Sequence, residues 1–92
     1  PKNALIKQYK TLFEMDNVAL DFKESAIKLM AKRALELNTG ARGLRAILED
    51  LLLDMMYDIP SDKSIEKVVV REDCITSKAQ PKIIRRNQAE TA

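Results

Sequence analysis

The residues best suited to chemistry lie in the stretch Thr39-Gly40-Ala41-Arg42-Gly43-Leu44-Arg45. It reads as the end of one amphipathic helix and the opening of the next. Arginines and glycines stand there where a helix gains from neither. A cation in the first turn faces the positive end of the helix macrodipole, and a glycine inside a helix costs about 1 kcal/mol against alanine. A guanidinium beside the free N–H groups of a helix N-terminus is well placed to meet an anion, with phosphate the leading candidate. On spacing alone two readings of Arg42 stay open: this one, and a surface arginine paired with Glu49. Gly40 and Gly43 serve either a tight helix–helix turn or the close approach of a ligand.

Other chemistries are thinly represented. The sequence holds a single cysteine, Cys74, and no histidine. That removes disulfides within the chain, ordinary zinc sites, Cys-His dyads and Ser-His-Asp triads, and it fits a reducing compartment. Cys74 itself reads as inert. Asp54 and Asp58, one helical turn apart, read as a solvated face rather than a metal site. Carboxylates, lysines and tyrosines form no recognisable constellation, so the chain by itself is expected to be inactive as an enzyme.

The net charge of +2 is too small to argue for nucleic acid. The cluster from Lys82 to Arg86, with no interleaved aromatic residue, reads as a solvated strand end rather than a nucleic-acid or lipid site. With 46% hydrophobic and 33% charged residues the composition is that of a globular domain, and no apolar run is long enough to span a bilayer. No secretory signal precedes the first helix, so export is not expected. At 92 residues the chain is one domain, near the size at which isolated domains are marginally stable, and it is expected to lean on a partner.

The elements that must position the arginines follow from periodicity. Asn3 as cap, then Leu5, Tyr9, Leu12 and Phe13 at helical spacing, predict a helix over about residues 4–15, stopped by Asp16-Asn17. Val18-Ala19-Leu20 is a short extended piece. Asp21 with Glu24 resembles a capping box, and the helix it would open carries Phe22, Ala26, Leu29, Met30, Ala34 and Leu37 on one face. Asn38 reads as a left-handed terminator and Thr39 as the next cap.

The third helix, predicted over Gly40 to Asp58, has an unbroken apolar stripe of Leu44, Ile47, Leu48, Leu51, Leu52, Met55 and Ile59. At about 100° per residue Arg42 falls opposite that stripe, on a side shared with Ala46, Glu49, Leu53 and Met56. This opposite side carries more apolar surface than a solvated face needs, so it is expected to dock against something outside the domain. Met30, Met55 and Met56 read as core filler, with Met56 and Leu53 also candidates for an interface.

Pro60 to Ser64 reads as a turn and Ile65 to Val70 as a strand. Glu72 to Ile75 reads as a single helical turn or loop. Pro81 to Ile84 is expected to pair with Val68 to Val70, and Asn87 to Ala92 reads as a frayed tail. The expected fold is α+β: three helices with a small two- to three-stranded sheet at one edge.

Three blocks in this order resemble the small C-terminal subdomain of the ClpX family of AAA+ protein unfoldases. The opening Pro1-Lys2-Asn3-Ala4-Leu5-Ile6-Lys7-Gln8-Tyr9 is similar to the segment after the hinge between that family's large and small subdomains. Thr39 to Arg45 is similar to its sensor-2 motif, and Leu52-Leu53-Asp54-Met55-Met56-Tyr57-Asp58-Ile59-Pro60 to the end of the following helix. The similarity spans roughly residues 1–84. The early basic turn Lys82-Ile83-Ile84-Arg85-Arg86 departs from the family, whose tail there runs into an apolar strand.

The resemblance implies a lid over ATP, residues 1–86, followed by a flexible polar tail, 87–92. It implies that Arg42 reaches the phosphates of ATP, held with Mg mainly by a large subdomain that this sequence lacks, and that the domain docks within a homohexamer, for which Arg45, at the edge of the core stripe and equally a structural residue, and Leu53 and Met56 are the candidate interface residues from spacing. The implied partners are the large AAA+ subdomains of the same and neighbouring subunits, the ClpP peptidase and protein substrates, with no nucleic acid and no membrane. The implied location is the bacterial cytoplasm, or the mitochondrial matrix in a eukaryote. Two other readings remain at this level: a helical protein-interaction or adaptor domain using the Arg42-Leu53-Met56 face, and a nucleic-acid-binding module resting on the turn at residues 38–43 and the basic tail.

Overall fold

The computed structural model describes residues 2–38 and 40–86. In chain order it has helix α1 (Lys2–Glu14), strand β1 (Ala19–Phe22), helices α2 (Glu24–Glu36) and α3 (Gly40–Asp58), strand β2 (Ile65–Val70), the short helix α4 (Glu72–Thr76) and strand β3 (Lys82–Arg85), with a 3-10 turn, Ile59–Ser61, after α3. This is the expected α+β arrangement. The expected Thr39 cap and the polar tail from Asn87 to Ala92 lie outside the described residues.

The sheet has three strands in the order β1-β2-β3. Strand β1 runs parallel to β2, with Leu20 opposite Val68 and Phe22 opposite Val70. Strand β3 runs antiparallel to β2, with Val68 opposite Ile83 and Ile65 opposite Arg85, so the expected pairing of the last strand is present. A register shift between Ile65 and Lys67 sets Glu66 out of the ladder as a bulge. The central β2 is the apolar one because it is paired on both edges: Ile65, Val68, Val69 and Val70 are all buried.

Local signals and tertiary pairing disagree at the start of α2. Asp21 and Phe22 do not open that helix; both are in β1, where Asp21 lies opposite Val69. The ladder continues one residue further, the Lys23 N–H donating to the Val70 carbonyl at 2.9 Å. The N-cap is therefore Lys23, whose side chain makes no capping hydrogen bond. Strand pairing satisfies the backbone that a capping box would otherwise serve, and it turns Phe22 into the core. At the N-terminus of α1, Asn3 lies inside the first turn instead of capping it.

The core is a wedge between the helices and the sheet. Leu5, Ile6, Tyr9 and Phe13 of α1, Ala26, Met30 and Ala34 of α2, and Leu44, Leu48, Leu52 and Met55 of α3 are buried together with Val68, Val70, Cys74 and Ile75. Ile47 and Leu51 flank the α3 stripe and pack against it while partly exposed. Two residues expected inside are not: Leu12 is 43% exposed and Leu37, just past the end of α2, is 59% exposed. The Arg33 guanidinium donates to the Ile75 carbonyl at 3.4 Å and ties α2 to α4. Cys74 is a buried free thiol. Its sulfur accepts a long contact, 3.5 Å, from the Arg71 N–H, and this packed role agrees with the inert reading.

Asp62 closes the turn into β2. Its carboxylate accepts from the Ser64 N–H at 3.0 Å and the Ser64 hydroxyl at 2.5 Å, and from Arg85 of β3 at 2.8 Å. The Ser64 hydroxyl, then Arg85, hold its pKa down from 3.8 to about 2. A carboxyl depressed in the folded state adds stability that is fully present above its unfolded pKa and is lost as pH falls through the folded one. The acid branch of a stability profile between about pH 4 and pH 2 should therefore flatten in Asp62→Asn, measured by circular dichroism across an acid titration. An unchanged slope would show that the turn carries no such linkage.

Candidate functional site

The α2–α3 corner is built by the backbone. The Leu37 and Asn38 N–H groups donate back to the Arg33 and Leu35 carbonyls, both at 3.0 Å. Asn38 then takes the left-handed conformation, φ 55°, that ends the helix and turns the chain. Helix α3 starts two residues later, at Gly40, and presents Arg42 in its first turn. Gly43 is buried and Arg42 exposed. Together with Leu37, Ala46, Ile47 and Asp50 they line an open cleft of about 340 Å³.

The guanidinium is thus offered to solvent beside an apolar wall. Among the ion pairs of the described residues none joins Arg42 to Glu49; they are Lys28–Glu24, Lys67–Asp21, Arg71–Asp73, Arg85–Asp62 and Arg86–Glu66. A planar group with several fixed donors on the rim of an accessible cleft fits a phosphate oxygen array. Among the described residues Asp50 is the one acidic residue that lines the cleft with Arg42.

Arg42 and the candidate interface residues of α3 stand on its outer side. Arg45, Glu49 and Ala46 are exposed, Leu53 is 63% exposed and Met56 40%. Eleven residues separate Arg42 from Leu53, so the two share one side of the helix at a separation of ~16 Å. Met56 is therefore not core filler, unlike the buried Met30 and Met55.

The apolar surface is wider than the helical wheel indicated. Tyr57 at the end of α3 and Met15 just after α1 are 82% and 76% exposed. The last turn of α1 and the end of α3 form a second cleft, about 170 Å³, lined by Leu12, Phe13, Asp16, Met56 and Ile59. Periodicity alone put Leu12 on the buried face of α1. At about 100° per residue Leu12 falls at the edge of the arc formed by the buried Leu5, Ile6, Tyr9 and Phe13, and it is left partly open there. From Ala46 to Asp62 the chain has acidic residues but no lysine or arginine, so the part of this surface beyond Arg45 has an acidic rim along α3.

Among the described residues no group of His, Cys, Asp and Glu could hold a metal ion, Asp54 and Asp58 included. No described helix is long and apolar enough to cross a membrane.

Three helices wedged on a small mixed sheet, with an arginine at the opening of the longest helix, define a small α+β subdomain of AAA+ type. The family model described as the C-terminal, D2-small domain, of ClpB protein matches residues 2–71, and the chain belongs to that family as a ClpX-like C-terminal small domain. Proteins named ATP-dependent Clp protease ATP-binding subunit ClpX are similar to it. Those of Borrelia duttonii (strain Ly) and Borrelia recurrentis (strain A1) are each 51% identical over 75 residues, 82% of this chain and 18% of the relative. That of Treponema denticola is 46% identical over 84 residues, 90% of this chain and 20% of the relative. The chain therefore spans about a fifth of the length of these curated relatives.

The corner that presents Arg42 depends on a residue able to adopt positive φ at position 38. Asn38→Gly should retain or slightly raise thermal stability, whereas Asn38→Val should lower it by about 1–2 kcal/mol, the cost of forcing a β-branched residue into that conformation. Equal melting of the two variants would show that the corner is held by something other than its backbone turn.

Proposed function

We propose that this domain is the lid of a ClpX-like ATP-dependent protein unfoldase, residues 1–86, with 87–92 a polar tail. What carries the reading is Arg42, exposed at the first turn of α3 and on the same side of that helix as Leu53 and Met56. One rigid helix then bears both a phosphate-seeking cation and an apolar docking face. A change at one end is felt as a rotation at the other.

In this reading Arg42 acts as the sensor-2 arginine. Its guanidinium reaches phosphate oxygens of ATP bound, with Mg, mainly by the large subdomain of the same subunit. Bound Mg-ATP supplies the phosphoryl group whose hydrolysis drives the cycle. Arg42 remains charged throughout and presents fixed donors that distinguish whether a γ-phosphate is there to accept them. The domain alone does not hydrolyse ATP.

Leu53 and Met56, with Arg45 at the edge, dock against the large subdomain of a neighbouring subunit in a homohexamer. The acidic rim favours a partner surface with lysines or arginines around an apolar centre. The assembled ring unfolds proteins and delivers them to the ClpP peptidase, in the bacterial cytoplasm or the mitochondrial matrix, without a nucleic-acid or membrane partner.

The test is made in the full-length ATPase that this reading requires. Arg42→Ala should lower ATP hydrolysis, or its coupling to substrate unfolding, at least tenfold, about 1.4 kcal/mol of transition-state stabilisation, while light scattering still shows the ring. Arg42→Lys should behave similarly, because an ammonium cannot reproduce the planar fork. Wild-type unfolding in both variants would make the arginine structural and bring the protein-interaction reading forward. Met56→Glu should prevent assembly without unfolding the domain, since the side chain is already partly in solvent.

A further inference from the structure

The basic pair at the end of β3 is bound within the domain. Arg85 donates to Asp62 and to the Ser64 hydroxyl. Arg86 is used more fully. Its backbone N–H donates to the Ser64 carbonyl at 2.7 Å, its Nε to the Lys63 carbonyl at 3.0 Å and one Nη to the Asn17 carbonyl at 2.8 Å. Its other Nη lies 3.8 Å from the Glu66 carboxylate, which the β2 bulge sets outward. One side chain thereby joins the α1–β1 turn, the turn before β2, and β2 itself.

The Asn17 end of this bridge bears on the docking face. Asn17 sits at φ 61° directly after α1. The turn closes on its own helix through Asp16 N–H to Phe13, Asn17 N–H to Glu14 and Val18 N–H to Phe13 hydrogen bonds of 2.9, 2.9 and 3.1 Å. Those bonds shape the turn, and burial of Phe13 and Val18 anchors its flanks in the core. The hydrogen bond from Arg86, 69 residues further along the chain, adds a polar tie on the exposed side of the turn. The end of α1 and the turn after it supply Leu12 and Asp16 to the cleft that Met56 and Ile59 also line.

We infer that Arg86 is a positioning residue for subunit docking: by gripping the Asn17 carbonyl it sets the stance of the α1 end against Met56 and so the shape of the surface offered to the neighbouring subunit. This rests on the docking role given above to the Leu53 and Met56 face. Arginine is needed because its planar fork reaches two carbonyls and a carboxylate in different directions at once, which a single ammonium cannot do.

The experiment compares Arg86→Ala, Arg86→Lys and Met56→Glu in the full-length protein. Three readouts are taken at 25 °C: the concentration midpoint of assembly by light scattering, the circular dichroism, and amide hydrogen exchange. Arg86→Ala should raise the assembly midpoint by about tenfold, the effect of one charged hydrogen bond, with the dichroism unchanged. Exchange at Asp16 to Val18 should quicken by a similar factor while the centre of α3 stays protected. Arg86→Lys should recover part of both effects, and it decides the matter in the same way if the alanine variant unfolds. Normal assembly of both Arg86 variants beside failed assembly of Met56→Glu would overturn the positioning role and leave the docking face standing. Normal assembly of all three would overturn the docking reading and this inference with it.

Discussion

Burial of a single stripe along α3 constrains the rest of the domain. Leu44, Leu48, Leu52 and Met55 recur at three- and four-residue steps and lie against α1, α2 and the sheet. Once that stripe is inside, the rotation of a 19-residue helix is settled along its whole length. The residues half a turn away must face outward: Arg42 at one end, Leu53 and Met56 further along. The helix cannot hide its second apolar side and keep its first, so the domain carries exposed apolar surface as a consequence of its own core.

The sheet supplies what the helices cannot. Three helices of this length leave one flank open, and β2 fills it with valines paired on both edges. Parallel pairing with β1 requires the chain to pass through α2 and α3 between the two strands, so the helical hairpin carrying Arg42 is the crossover of a β-α-α-β unit. The strand on one side and the hairpin on the other are thus one structural commitment. Arg85 and Arg86 complete it from the far end of the chain by tying β3 to the turns at both ends of the helical layer.

This arrangement suits a part that moves as a body. Among the described residues α3 is continuous from Gly40 to Asp58, the Leu37 and Asn38 N–H groups close the end of α2, and no buried polar side-chain atom lacks a partner. A small rotation of such a unit displaces Arg42 and the Met56 surface together. In the proposed lid role, such a unit would carry a contact made at Arg42 to the Met56 surface.

Much was legible in the sequence by itself. The bounds of α3, the strand Ile65–Val70, the left-handed Asn38 and the outward placement of Arg42 and Leu53 all follow from periodicity and turn chemistry, which are properties of neighbouring residues, whereas Met56, read as core filler, is 40% exposed. The family was legible too, because Thr39 to Arg45 and the end of α3 are short contiguous blocks. What only the tertiary structure decided involves residues distant in the chain. Asp21 and Phe22 have good local grounds to open a helix and instead pair with Val69 and Val70, since a ladder across 48 residues satisfies their backbone and buries the phenyl ring. Leu12 follows the helical spacing of α1, yet packing buries Leu5, Ile6, Tyr9 and Phe13 and leaves Leu12 43% exposed. The basic pair at Arg85 and Arg86 reads as a solvated end until folding brings Asp62, Glu66 and Asn17 beside it. Local periodicity determines an element and its faces; which element meets which, and what a long side chain can then reach, is settled only when the whole chain is packed.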